Sequence, residues 1–283
     1  MNYRFKLDDW LPRFPLLERR GTYSAEIITS PWDLCQNEHL RRELHKAYDW
    51  GPAVPTDIFI MADGEPPDRH VTKIGGLPYR PASARWPTRP DGAPLVFLAQ
   101  FNFSDSRDLT GKLPGDILLV FGDKDFTFEN LHFEWQRMGA RKLIASDAEP
   151  VRESAFAPCY GHICRTANYP EATAYDNSTR YPICRGREVR APWRMLQYQA
   201  TQIGAEPFFI QQGDAEQVQG RLLATLSSVQ PAANVEFPWV NRQETLEPRQ
   251  VHHPERLMIG DVGCIYISID DDDETVHGHW SCY

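Results

Sequence analysis

The clearest alternation in the chain runs from Leu95 to Phe103. Leu95, Phe97, Ala99, Phe101 and Phe103 fall on one face, and Val96, Leu98, Gln100 and Asn102 fall on the other. Side chains of a strand point to its two faces in turn, so this spacing predicts a β-strand; apolar residues at the start of both faces predict a central one. Ile117 to Phe121 predicts a second buried strand, opened by Pro114-Gly115-Asp116 and closed by Gly122-Asp123-Lys124-Asp125. The short run Ile58-Phe59-Ile60-Met61 predicts another. Helical spacing occurs upstream, where Leu34, Leu40, Leu44, Ala47 and Tyr48 follow Asp33 as N-cap, and Gly51-Pro52 ends the run. Between Gly75 and Pro94, Pro78, Pro81, Pro87, Pro90 and Pro94 deny the backbone donors, which predicts irregular or sheet-edge structure.

The pattern repeats. Thr72-Lys73-Ile74-Gly75-Gly76-Leu77-Pro78-Tyr79 returns 129 positions later as Thr201-Gln202-Ile203-Gly204-Ala205-Glu206-Pro207-Phe208. A second echo pairs Gly115-Asp116-Ile117 and its strand with Gly263-Cys264-Ile265 and the strand to Ile269. A period this long indicates duplication on the scale of a domain, because solenoid units run to about 20–50 residues. The recurrence predicts a first copy over about 52–130, a connector over about 131–200 and a second copy over about 201–283. The two halves are expected to be related by a pseudo-twofold, with residues 1–51 as a largely helical or irregular appendage. In the second copy, Leu222, Ala224 and Leu226 stand in the place of the long strand.

Length, charge and cysteine content narrow the class. A chain of 283 residues is ample for a substantial core, and 41% hydrophobic residues argue against general disorder. The net charge of −9 argues against general nucleic-acid binding, which needs a basic surface, and permits a basic partner. The amino terminus, Met1 to Trp10, lacks the apolar core of a signal peptide, and the longest uncharged apolar-rich run, Ala93 to Ser104, is too short to span a bilayer. No membrane partner is expected. Six cysteines without a secretion signal predict reduced thiols and a cytoplasmic location.

Candidate chemistry is sparse. Cys159-Tyr160-Gly161-His162-Ile163-Cys164 has metal-like spacing, with Cys184 as a further ligand, but no clean second pair accompanies it, and we expect no metal or other cofactor. Asp270, Asp271, Asp272, Asp273 and Glu274 form an acidic strip without the glycine and spaced acids of a calcium loop. Segment 126–200 is locally basic, and Arg185, Arg187 and Trp193 in it are candidate binding residues. Eight tryptophans offer candidate interface anchors, although Trp86 beside Pro87 and Trp239 beside Pro238 are expected to pack on proline loops. Gln100 on an apolar strand is expected to bond main chain. No nucleophile elbow, phosphate-binding loop, His-Glu-x-x-His or dinucleotide fingerprint is present, so catalysis has no motif behind it.

Lys73-Ile74-Gly75-Gly76-Leu77-Pro78, Trp86-Pro87, Leu98-Ala99-Gln100 and Leu113-Pro114-Gly115 together resemble the YwqG-like family. In the second copy Ile203-Gly204, Pro207, Gln211, Gly260-Asp261-Val262-Gly263 and the closing Cys282-Tyr283 extend the resemblance over about 52–283, with a departure at Ala205-Glu206. The resemblance implies an internally duplicated α+β fold built on antiparallel sheet, and no catalytic residues. Association of such proteins with bacterial toxin loci implies an immunity protein. Together with the charge, this gives the expectation of a non-enzymatic binding protein that neutralises a basic toxin domain. The alternative is an enzyme or small-ligand receptor with a pocket between the repeats.

Overall fold

The computed structural model describes residues 3–5, 51–123, 128–146, 148, 156–169, 180–183, 187–190, 200–204, 207, 209–211, 213–229, 256–272 and 274–283. In chain order the elements are β1 (Tyr3–Phe5), β2 (Val54–Asp63), β3 (Lys73–Ile74), β4 (Val96–Asn102), α1 (Arg107–Thr110), β5 (Ile117–Gly122), β6 (His132–Gln136) and β7 (Cys159–Asn168). They continue with β8 (Arg180–Ile183), β9 (Arg187–Arg190), β10 (Gln202–Ile203), α2 (Asp214–Gln217), β11 (Arg221–Ser227), β12 (Cys264–Ile269) and β13 (Val276–Ser281). All but β8 and β9 belong to one 11-stranded sheet of order β13-β12-β11-β10-β2-β7-β3-β4-β5-β6, with β1 pairing β7. Every pairing is antiparallel except β1 with β7.

The α+β expectation is overturned. Among the described residues the helices are α1 and α2, of 4 residues each, and everything else that is regular is strand. The helical appendage is also corrected where it can be seen, because Tyr3–Phe5 is a strand on the edge of β7. The helix expected from Leu34 to Tyr48 lies outside the described residues. β6 and β7, within the stretch expected as a connector, belong to the same sheet as β11 to β13.

The strand order reads the same inward from either end. One arm runs β3-β4-β5-β6 and hangs on β7; the other runs β10-β11-β12-β13 and hangs on β2. Phe101, Leu118 and Val120 of the first arm share one apolar core with Leu223, Ala224, Ile265 and Ile267 of the second, and with Phe59, Met61 and Ile163 of the central pair. A single core between two arms requires the sheet to curl. Its end strands meet through side chains: Gly278 of β13 lies under Leu131 and Phe133, and the Phe128 and Trp280 rings are 5.9 Å apart.

Two details depart from simple alternation. β4 is the strand expected over Leu95 to Phe103, but its register against β5 shifts between Phe97 and Ala99, and β11 shifts likewise against β12 between Leu222 and Ala224. Such a bulge lets Leu98 and Ala99 both reach the core, while Leu95 and Phe97 turn to the outer face. The second detail concerns the echo between β5 and β12, which the sequence aligns one residue out. Leu118 and Val120 share the core with Ile265 and Ile267; Ile117 and Leu119 face outward, as do Cys264 and Tyr266. A slip of one residue exchanges the faces of a strand, so burial decides the match. With that match, Trp135 opposite Leu118 and Trp280 opposite Ile265 occupy corresponding places. Both pack against the core, and the large exposed hydrophobics among the described residues are Met138 and Tyr283. The tryptophans at 86, 135 and 280 are therefore packing residues.

The recurrent motif is a packing device on the outer face. The Lys73 side chain is fully buried and its ammonium meets Glu65 at 2.9 Å. Burial holds the ammonium below its usual range, and Glu65 partly opposes that shift. The other Glu65 oxygen accepts from Leu77 N–H at 2.5 Å, and a side chain at Gly76 would strike that carboxylate. Gly75 and Gly76 have φ of +66° and +72°, which glycine adopts without cost. Gln100 accepts from Tyr79 N–H and donates to the Arg69 and Val71 carbonyls, so it bonds main chain as expected. Trp86 donates to Leu95 O and stacks edge-on to Phe121, which covers the outer face of β4 and β5.

Two outcomes follow for stability. A Cβ at Gly161 of β7 would lie within 2.6–2.9 Å of Phe59, whose ring fills that space. Gly161→Ala should cost about 1–3 kcal/mol in urea unfolding through overpacking. Cys264 is buried against Ser227, and burial pushes its thiol up to about 12. Its unfolded counterpart ionises near the ordinary value of about 8.5. The stability contributed by the protonated thiol is complete below that value and is lost as pH rises toward 12. Mass-spectrometric mapping should find Cys264 unalkylated by iodoacetamide in the folded protein and alkylated after denaturation.

Candidate functional site

The acidic strip of the sequence forms the turn between β12 and β13. Asp270 N–H donates to Thr275 O at 2.9 Å and Glu274 N–H to Asp270 O at 3.0 Å, which closes a tight hairpin with Glu274 at φ +60°. Asp270 is half-buried and sits 2.8 Å from His277 Nε2. Asp271, Asp272 and Glu274 are exposed. Asp271 takes an ion pair from Arg221 at 3.1 Å. Of the remaining residues predicted from sequence, Arg187 lies on β9 in the separate two-stranded sheet, and Asp273, Arg185 and Trp193 lie outside the described residues. The structure thus gathers Asp270, Asp271, Asp272 and Glu274 on one hairpin and places Arg187 on another.

Arg221 links this hairpin to α1. Its Nη1 donates to Thr110 O at 3.0 Å while Nε reaches Asp271. Arg165, on β7 directly opposite Asp57 of β2, holds α1 from the other side. Its guanidinium meets Asp57 at 2.5 and 3.0 Å and Asp108 of α1 at 2.6 and 3.1 Å. Asp57 is fully buried and also accepts from Ser106 Oγ at 2.7 Å. Its hydrogen bonds to the carboxylates of Asp57, then Asp108, drive the guanidinium well above its usual range, so it remains charged at any working pH.

The chain leaving α1 lines a cleft of about 220 Å³ with Phe103, Arg107, Gly111, Lys112, Leu113, Pro114, Gly115, Asp116 and Arg137. Arg137 arrives because Gly115 lets β6 approach: a Cβ there would stand 2.7 Å from Gln136 O. Asp116 is anchored by Arg107 and by Met138 N–H at 2.8 Å. The sequence shows the Leu113-Pro114-Gly115 motif but not the cleft. Arg137 is far from Arg107 and Lys112 in the chain, and only the β5–β6 pairing brings them together.

In the cysteine motif Cys159 and His162 do not converge, and the Cys164 side chain and Cys184 lie outside the described residues. Cys159 is buried in the core and, by strand alternation, His162 occupies the opposite face of β7. Among the described residues no group of three or more His, Cys, Asp or Glu could hold a metal ion. No helix among them is long and apolar enough to cross a membrane.

The Asp57–Arg165 pair gives a direct test of the frame beneath the hairpin. Arg165→Met should destabilise the fold by about 3 kcal/mol, the low end for a broken buried pair because a third of Arg165 is exposed. Adding Asp57→Asn should recover part of that loss in a double-mutant cycle by denaturant unfolding.

The chain belongs to the family described as Domain of unknown function (DUF1963), whose match covers residues 72–276. That span runs from the Lys73 motif into β13 and takes in the hairpin and the cleft. No curated protein matches the chain.

Proposed function

We propose that this chain is a non-enzymatic binding protein of the cytoplasm, and within that class an immunity protein that neutralises a basic bacterial toxin domain by direct contact. The observation that carries the reading is the β12–β13 hairpin, which holds Asp271, Asp272 and Glu274 in water on a backbone fixed by its own hydrogen bonds. A backbone already fixed lowers the ordering cost when a cationic partner arrives. The net charge of −9 would steer such a partner toward the molecule. The resemblance to the YwqG-like family supports the same reading through its association with toxin loci.

The polar clusters beneath the hairpin fit this role better than a catalytic one. Asp57, Ser106, Asp108 and Arg165 hydrogen-bond one another, which stiffens the surface beneath the hairpin.

The test is co-purification with the product of a neighbouring toxin-like reading frame, followed by association kinetics. Binding at nanomolar to micromolar concentration is expected. The triple change Asp271→Asn, Asp272→Asn, Glu274→Gln should slow association about tenfold or more at low salt and flatten its salt dependence. Absence of binding at micromolar concentration would defeat the reading.

A further inference from the structure

We infer that the cleft between α1 and β6 is a binding site for a compact dianion, either a phosphate monoester or a small dicarboxylate. This site is separate from the hairpin surface and does not depend on the function proposed for it.

The inference starts from charge. This is an acidic molecule, and several of its cations sit beside carboxylates: buried Lys73 on Glu65, buried Arg80 on Glu134, and the partly exposed Arg165 on Asp57 and Asp108. The cleft has a different balance, with exposed cations in excess. Arg107, Lys112 and Arg137 line it with a single carboxylate, Asp116. One Asp116 oxygen is held by Arg107 and the other by Met138 N–H. Three cations against one anion leave a local charge near +2, which a dianion would neutralise.

The cleft is also shaped. Phe103, Leu113 and Pro114 supply apolar wall, and the volume of about 220 Å³ exceeds that of a single hydrated ion. At about 30 Å³ per water in the liquid, it has room for a ligand of roughly seven water volumes. A phosphate on a short carbon skeleton, or a four-carbon diacid, fits that size, with its oxygens on the cations and its carbons on Leu113 and Pro114.

Preorganisation is visible in the frame. Arg107 uses Nη2 on Asp116, which fixes its guanidinium and leaves its other N–H groups to aim at a ligand. The floor is tied from three sides: Asp108 to Arg165, Thr110 O to Arg221, and Asp116 N–H to Gln136 O at 2.9 Å. Gly111, at φ +67°, turns the chain from α1 into the cleft wall. A site lined by a point charge and two planar forks suits tetrahedral and planar oxyanions alike, so the ligand class is set by charge and size.

Isothermal titration of the full-length protein at low ionic strength tests this, with inorganic phosphate, phenyl phosphate and succinate as probes and acetate as the monovalent control. At least one dianion should bind saturably at millimolar or tighter concentration, and acetate at least tenfold more weakly. Phenyl phosphate binding above phosphate would assign the monoester, and succinate binding above both would assign the diacid. The double change Lys112→Met, Arg137→Met should weaken that binding at least tenfold. Both side chains are exposed, so its melting temperature should match that of the parent and its binding of a basic protein should not fall. Failure of every dianion to saturate below about 10 mM, or undiminished binding by the double variant, would overturn the assignment.

Discussion

The 10 residues of β2 pair antiparallel with the 10 of β7, from Val54 opposite Asn168 to Asp63 opposite Cys159, and each strand carries one arm of the sheet on its free edge. The first arm hangs on β7, which follows it in sequence, and the second hangs on β2, which precedes it by more than a hundred residues. Neither arm can therefore complete its sheet from its own half of the chain. The arms also share their apolar filling, so the curl that brings Phe101 and Leu118 to Leu223 and Ile265 is a consequence of that central ladder. Gly161 admits Phe59 at the ladder's centre, and Asp57 with Arg165 marks its polar end.

Charge is distributed on the same plan. At the polar end of the ladder, Arg165 fixes α1 through Asp108, and Arg221 joins α1 to the acidic hairpin. The hairpin that carries Asp271 and Glu274 is thus joined through α1 to the wall of the cleft, although the two carry charges of opposite sign. A charged group that folding already holds in place has met its ordering cost before any ligand arrives.

Much of the sheet is legible in the sequence, for a physical reason. Ile58 to Met61, Leu95 to Phe103 and Ile117 to Phe121 are apolar runs bounded by glycine, proline and charge, and they lie in β2, β4 and β5. Local pattern fails where pairing partners decide. The run Cys159 to Asn168 reads as polar and metal-like because one face carries small core residues and the other Tyr160 and His162, yet it is a central strand. The bulges at Leu98 and Leu223 are equally hidden, since a register shift belongs to two strands and not to one. The α+β expectation came from resemblance, and the described residues replace it with sheet. At the candidate surface, the contiguous acids of the hairpin are evident in the chain, whereas Arg107, Lys112 and Arg137 become neighbours only when β5 pairs with β6.

The interdependence of the two arms is the central claim, and backbone hydrogen exchange followed by mass spectrometry tests it most directly. Amides of β2 and β7 should exchange slowest, at the rate of global unfolding, and those of β4 and β11 should join the same slow class. If peptides from one arm exchange together and early while the other arm and the β2–β7 ladder remain protected, the arms fold as independent units and the account is contradicted.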